Sequence, residues 1–307
     1  MRILITEFMD PPAVDRLRAR HEVVYDPKMV DDTSRLLREA PLSDAIIVRN
    51  RTQVSGDLLA ALARCRVVGR LGVGLDNIDV EACAARGMQV LPATGANAHS
   101  VAEYVVTMTL VLLRGVYAAT ADVAAGQWPR QTLSQGREAA GKTLGLVGLG
   151  SIGQLTARLA RGLGMRVIAC APSLEAGGAV PVDLEVLPVG LDELVATADV
   201  VSLHLPLLAS TRGLFNAARI AAMKRGAILI NTARGGIVDE AAVAAALREG
   251  HLGGAALDVF DEEPLGAAPH FAGCPNLILT PHVAGLTQES NDRVSTLVAS
   301  RVLEALG

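Results

Sequence analysis

Short apolar runs rich in β-branched residues alternate along the chain with stretches whose apolar positions recur at helical spacing. That alternation predicts βα units around parallel sheets rather than a helical bundle or a sandwich. The runs fall into two series. RILITEF, EVVYD, AIIVRN, RVVGRLG and MQVLPAT form the first, with helical stretches such as Ser55 to Arg64 between them. TLGLVGLG, RVIAC, VVSLHLP, AILINTA, AALDVF and NLILTPH form the second.

Between the two series NAHSVAEYVVTMTLVLLRG reads as one helix, opened by Ser100 and Glu103 at capping-box spacing and apolar on most faces. Such a helix is expected to be buried. A last helical pattern, Thr287 to Leu306, has no strand after it and is expected to return to the first domain, which predicts a ligand cleft between two domains. EAGGAVPVDLEVLPVG, residues 175–190, reads as a loop on the second domain.

With 307 residues, half of them apolar, the chain has material for two domains. A formal charge of -4 with no basic run gives no footprint for nucleic acid or an anionic membrane, so small molecules are the expected partners. Cys65, Cys83, Cys170 and Cys274 lack metal-ligand or redox spacing and read as buried thiols in a reducing compartment, with no metal site. Glu7 and Asp10 interrupt the opening MRILITEFMD too early for a signal peptide, and no apolar segment approaches a membrane span. A cytoplasmic protein is expected.

LGLVGLGSIGQLTARLARGLG places Gly148, Gly150 and Gly153 in G-x-G-x-x-G spacing after a strand and before a helix. The first glycine permits a tight turn, the second admits a pyrophosphate and the third lets helix and strand pack closely, with Ser151 and Ile152 opening the helix toward the anion. A tight structural turn is the plain alternative; the second strand at Arg166 to Cys170 favours a dinucleotide. That strand runs into Ala171, Pro172 and Ser173, where an acid for the adenosine ribose is usually found. Ala171 can neither bind the NAD ribose hydroxyls nor repel the NADP phosphate. No Lys or Arg occurs from Val167 to Val180, so NAD is slightly favoured and NADP is kept as the second choice.

Reduction of a carbonyl on such a cofactor needs a proton donor, a cation for the substrate and a group that tunes the donor. LINTARGGIVDE puts Arg234 just beyond one strand, ALDVFDEEPL puts carboxylates beyond the next, and LILTPHVAG puts His282 beyond the third. Ligands of doubly wound sheets gather at such strand ends.

Here the chain closely resembles the D-isomer-specific 2-hydroxyacid dehydrogenase family, in particular its 3-phosphoglycerate dehydrogenase-like branch. GRLGVGLDNID, GKTLGLVGLGSIG, LHLPL, INTARGGIVDE, AALDVFDEEP and LTPHVAG match its motifs in order, nearly end to end. The resemblance implies an α/β fold of two doubly wound domains. A Rossmann NAD(P)-binding domain, residues 98–282, would be inserted in a flavodoxin-like substrate domain of residues 1–97 plus 283–307. It further implies His282 as general acid for reduction and base for oxidation, Glu263 as the partner holding its imidazole, and Arg234 as the anchor of the substrate carboxylate and carbonyl. The cofactor contacts implied beyond the glycine loop are His204, Pro206, Thr211, Thr232, Ala233 and Asp258, the last meeting the nicotinamide carboxamide.

Asp261 and Glu262 read as solvated charges, His21, His251 and His270 as surface residues, and His99 as the start of a helix. On the substrate side the resemblance implies the backbone around Val73 and Gly74, with Asn97, Arg49 and Arg70. Arg51 replaces a small residue of the branch, and Arg130 matches an arginine that can reach the neighbouring subunit's site in a homodimer. A second anion on the substrate would explain these guanidinium groups, solvated surface charge being the plain alternative for Arg51 and Arg130.

The expected substrate is therefore a D-2-hydroxy acid, or its 2-oxo acid, with a second anion at C3, of the 3-phosphoglycerate or 3-sulfolactate type. ITEFMD with VRNRTQV resembles members of the branch described as sulfolactate dehydrogenases. The alternatives are an NADPH-dependent glyoxylate/hydroxypyruvate reductase and a non-catalytic NAD(H)-sensing protein like the corepressors that resemble this family. The chain stops shortly after its last helical pattern, so the regulatory domain of some phosphoglycerate dehydrogenases is not expected.

Overall fold

The computed structural model describes residues 1–175 and 178–307. The chain divides into two compact units, Met1–Asn97 with Leu286–Gly307, and Ala98–Gly285. The first unit holds five strands, β1 (Arg2–Ile5), β2 (Glu22–Tyr25), β3 (Ala45–Val48), β4 (Val67–Arg70) and β5 (Gln89–Pro92). They form a parallel sheet in the order β2-β1-β3-β4-β5, the flavodoxin-like winding.

The second unit holds β6 (Thr143–Val147), β7 (Arg166–Cys170), β8 (Val186–Pro188), β9 (Val200–Leu203), β10 (Ile228–Asn231), β11 (Gly254–Leu257) and β12 (Leu277–Leu279). Their parallel order, β12-β11-β10-β9-β6-β7-β8, is that of a Rossmann sheet with one further strand. Central strands β3, β6, β9, β10 and β11 are buried at every position, which is why they read as unbroken apolar runs.

Two details depart from the sequence reading. β8 lies in the stretch expected to be a loop; it pairs with β7 as a three-residue edge strand, too short to show alternation. Ala176 and Gly177 of the same stretch lie outside the described residues. The long helix runs from Ala98 to Arg114, so it starts before Ser100 and the expected capping box is not its entry. Ser100 is instead buried in its first turn.

The last helix, Gln288–Leu306, begins at an N-cap where Thr287 Oγ1 accepts from the Ser290 amide at 3.1 Å. It presses against β4 at Gly69: a Cβ there would stand 2.9 Å from Val298 Cγ1 and 3.0 Å from Val302 Cγ2. Gly69→Val should therefore destabilise the first unit by about 1–3 kcal/mol through overpacking. An unchanged urea midpoint would show that this helix can lift without cost.

Candidate active site

The glycine loop follows β6 directly. Gly148 has φ +103° and a Cβ there would meet His204 O at 2.2 Å, while a Cβ on Gly153 would meet Gly148 O at 2.5 Å. Gly150, N-cap of the Ser151–Gly162 helix, has no side-chain cap and faces space clear of atoms to 4 Å. The loop is thus closed beneath by packing and open at the helix N-terminus, where free amides and the helix dipole favour an anion. At the end of β10 the Thr232 hydroxyl is buried and unpartnered among the described residues. These features fit a dinucleotide: a pyrophosphate on the amides around Gly150, Ser151 and Ile152, and a polar group beside Thr232 and the buried Ala233. Beyond β7, Ala171 is buried while Pro172 and Ser173 are exposed. Thr211 ties the loop after β9, donating to Pro206 O and accepting from the Leu208 amide, both at 2.7 Å.

His204 lies under this loop with Nε2 3.0 Å from Ser202 Oγ. Desolvation pulls its pKa down from 6.5 to about 4. The imidazole is neutral near pH 7 and packs beneath the anion site without charge.

Beyond β10 the Asn231 side chain bridges a turn, accepting from the Ala233 amide at 3.0 Å and donating to Arg234 O at 2.9 Å. This fixes the backbone from which the half-buried Arg234 projects, its Nη1 donating to Ala233 O at 2.6 Å. The following residue has no room for a side chain. A Cβ on Gly235 would meet Phe260 O at 1.8 Å and Asp261 N at 2.7 Å, so the arginine turn and the acidic loop lie backbone to backbone.

In that acidic loop Glu263 divides its carboxylate: Oε1 accepts from the Phe260 amide at 3.0 Å and Oε2 from His282 Nδ1 at 2.7 Å. With Nδ1–H held by a carboxylate, Nε2 is the ring atom left to exchange a proton. His282 itself has φ +54°, a left-handed conformation that a non-glycine residue adopts at a cost of about 1–3 kcal/mol.

Asp258, 1% exposed at the end of β11, offsets that cost. Its carbonyl accepts from the His282 amide at 2.8 Å; Oδ1 accepts from Val283 N at 2.8 Å and Thr280 Oγ1 at 2.5 Å, and Oδ2 from Ala284 N at 2.8 Å. Thr280 gives its proton to Asp258, so Tyr104 OH donates to Thr280 Oγ1 at 2.6 Å.

The residues expected on the substrate side lie in the first unit, Arg130 excepted. Arg49 and Arg51 follow β3 on a loop gripped by buried Glu7, whose Oε1 accepts from Arg49 N at 2.9 Å and Thr52 N at 3.0 Å, and whose Oε2 accepts from Arg51 N at 3.1 Å. Arg49 Nη2 donates to Asn291 Oδ1 at 2.7 Å, and its guanidinium lies 5.9 Å from the Phe8 ring centroid. Arg51 is exposed and ion-paired with Asp31. Arg70 folds back so that Nη1 donates to Leu71 O at 2.9 Å, next to half-buried Val73 and Gly74. Asn97 Oδ1 is buried without a hydrogen-bond partner among the described residues. In the second unit, Arg130 is exposed on the short Arg130–Leu133 helix.

Glu7, Asn231, Asn291, Tyr104 and Thr280 had not been singled out in the sequence as parts of a site. A polar residue following an apolar strand was the available signal for Glu7. His21, His251 and His270, expected at the surface, are half-buried, His251 Nε2 lying 3.1 Å from Ile220 O. Among the described residues no helix is long and apolar enough to cross a membrane, and no group of acidic, histidine or cysteine side chains could hold a metal.

Residues 106–284 match the family model described as D-isomer specific 2-hydroxyacid dehydrogenase, NAD binding domain. The chain is 52% identical over 305 residues to an (S)-sulfolactate dehydrogenase of Chromohalobacter salexigens, covering 99% of this chain and 98% of that one. It is 41% identical over 306 residues to a D-3-phosphoglycerate dehydrogenase of Mycobacterium tuberculosis, covering 99% of this chain and 56% of that protein. A crystal structure of a Thermus thermophilus protein superposes with a TM-score of 0.88 at 35% identity, over 100% of this chain and 97% of that one.

The depressed His204 pKa has a consequence for stability. Unfolding frees a ring that binds a proton below about pH 6.5 but is held neutral in the fold down to about pH 4, so His204 costs stability as pH falls through that window. His204→Asn should flatten the decline in urea stability between pH 6.5 and 4. Parallel pH dependences for variant and parent would refute it.

Proposed function

The chain belongs to the D-isomer specific 2-hydroxyacid dehydrogenase family, and from that premise we infer that its substrate is a three-carbon 2-hydroxy acid bearing a second anion at C3. The reaction class is the NAD(P)-dependent interconversion of a 2-hydroxy acid and its 2-oxo acid. The similarity to an (S)-sulfolactate dehydrogenase supports a sulfonate as the second anion, with phosphate as the next choice.

Arg49 is the observation that carries this reading. Its guanidinium is drawn from water, which pulls its pKa down against the opposing charge of Glu7. Among the described residues it pairs with no carboxylate, only with the neutral Asn291 amide. Glu7 has its oxygens occupied by backbone amides. A half-buried cation held in this way is set up for an external anion, whereas Arg51 already has one in Asp31.

Nicotinamide dinucleotide, when bound, supplies or accepts the hydride. In this reading Arg234 holds the substrate carboxylate, with the Val73 and Gly74 backbone, Arg70 and Asn97 as further contacts. His282 Nε2 passes a proton to the carbonyl oxygen as the alcohol forms, and takes it back on oxidation. Glu263 keeps Nδ1 protonated and the ring aimed throughout. Asp258 positions the histidine loop and is also the proposed contact of the nicotinamide carboxamide. The first unit is the substrate-binding domain and the second the cofactor domain. NAD is slightly favoured over NADP because no Lys or Arg occurs from Val167 to Val180 to meet the extra phosphate. A cytoplasmic homodimer completes the reading, supported by the free cysteines and by exposed Tyr117, Val123 and Trp128.

His282→Ala should lower kcat by about 10²–10⁴-fold while leaving NADH binding intact; near-normal turnover would remove His282 from the chemistry. Substrate choice is tested by kcat/KM for 3-sulfopyruvate, 3-phosphohydroxypyruvate, hydroxypyruvate and glyoxylate, each with NADH and NADPH. Arg49→Ala should cost the C3 dianions about 10–100-fold and glyoxylate little, as expected for one lost charge-assisted contact. Equal losses, or a parent enzyme that prefers glyoxylate or hydroxypyruvate, would overturn the second-anion reading in favour of a general reductase.

A further inference from the structure

Glu240 opens the Glu240–Arg248 helix, right after its N-cap Asp239. Its side chain is only 14% exposed and its two oxygens face different segments. Oε1 accepts from the Asp261 amide at 2.8 Å, in the acidic loop that carries Glu263. Oε2 lies 3.5 Å from His270 Nε2, in the Pro269–Phe271 turn. That turn is held from the same helix by Arg248, which donates to His270 O and Ala272 O.

The Asp261 peptide is therefore gripped from two sides. On one it abuts Gly235, at a spacing no Cβ would permit; on the other its N–H is taken by Glu240. One residue back, Phe260 is buried edge-on against Phe271 and gives its own amide to Glu263 Oε1. Two residues on, Glu263 Oε2 holds His282 Nδ1. Asp261, Glu262 and Glu263 are consecutive acids, whose mutual repulsion favours splaying the loop toward water unless its backbone is fastened. The titratable and charged groups around the fastening are His270 facing Glu240, Asp239 beside it, Arg248 on the same helix, the loop acids Glu262 and Glu263, and the Asp261 carboxylate and Arg212 flanking Gly236.

We propose that Glu240 is a positioning residue for proton transfer: by fixing the Asp261 peptide against Gly235 it sets where Glu263 holds the His282 ring. This rests on the reading of Glu263 and His282 as the proton-transfer pair. Glu240 lies on a different element from the residues it serves and touches neither member of that pair, so its influence passes through a single peptide.

The test is a double-mutant cycle read as kcat and KM for the oxo acid, with NADH affinity from fluorescence titration and folding checked by thermal melts. Glu240→Ala should lower kcat about tenfold or more, the expected effect of a small misplacement, with NADH affinity unchanged. Glu240→Asp keeps the charge at the helix start but retracts it by a methylene, and should fall in the same direction even if the alanine variant folds poorly. Glu240→Gln still offers an oxygen to the Asp261 amide and should restore most of the rate. Adding Glu240→Ala to Glu263→Gln should cost little more than Glu263→Gln alone. Alanine and aspartate variants within about twofold of the parent, or losses that multiply in the double variant, would overturn the positioning role. A Glu263→Gln enzyme with parental kcat would instead remove the underlying proton-transfer reading, and the proposal with it.

Discussion

A buried carboxylate with three donors on its oxygens holds the candidate site together. Asp258 ends a fully buried strand and would be costly to bury if left unpaired. The amides of Val283 and Ala284 and the Thr280 hydroxyl satisfy it, while its own carbonyl takes the His282 amide. The strained backbone of His282 persists because these bonds over-determine the loop. The same device recurs in the first unit, where Glu7 collects the amides of Arg49, Arg51 and Thr52. Asn231 is a neutral counterpart beneath Arg234. In each case a polar group near a strand end converts the position of the sheet into the position of a functional side chain.

Charge is then distributed by what is already paired. Arg51 and Arg35 have carboxylate partners in Asp31 and Asp26, and these exposed or half-exposed pairs contribute little to stability. Arg49 differs because its neighbours are an amide and an aromatic face, which align a guanidinium without neutralising it. The cofactor side follows the opposite rule. Beneath the glycine loop His204 is kept neutral by desolvation, so affinity for an anion there rests on backbone amides and the helix dipole rather than on a side-chain cation.

Eleven of the twelve strands of the described residues were legible in the sequence as short apolar, β-branched runs, most plainly β3, β6, β9, β10 and β11, which are buried on both faces. β8 was not, since three residues at a sheet edge carry no period. Gly148, Gly150, Gly153, Arg234 and His282 stood out because chemistry and spacing coincide with strand ends, and Glu263 was picked from three consecutive acids by the family resemblance. The residues that hold Arg49 were harder to read because they lie far from it along the chain. Glu7 acts on Arg49 from 42 positions away and Asn291 acts on it from the far end of the chain, 242 positions apart. His270 read as a surface histidine because Glu240 precedes it by a helix and a strand, and the Arg248 bonds to His270 O and Ala272 O together with the packing of Phe260 on Phe271 bring the two segments together.

Gly235 shows why these local arrangements behave as one object. Its missing Cβ lets the turn that presents Arg234 and the loop that presents Glu263 share a backbone contact, so neither can shift without displacing the other. Asn231 braces the first from below, Glu240 braces the second from the side, and Asp258 fastens the histidine loop that Glu263 then touches. Arg234, the proposed substrate anchor, Glu263 and the His282 imidazole are consequently referenced to the ends of three adjacent strands, β10, β11 and β12, through bonds to backbone rather than through long side chains. Side-chain freedom costs entropy when a functional group is placed, and the bond from His282 Nδ1 to Glu263 restrains part of it before any ligand arrives. Arg49 has its own brace in Glu7, so the residues proposed to choose the substrate and those proposed to move the proton are held by separate buried carboxylates and can vary independently.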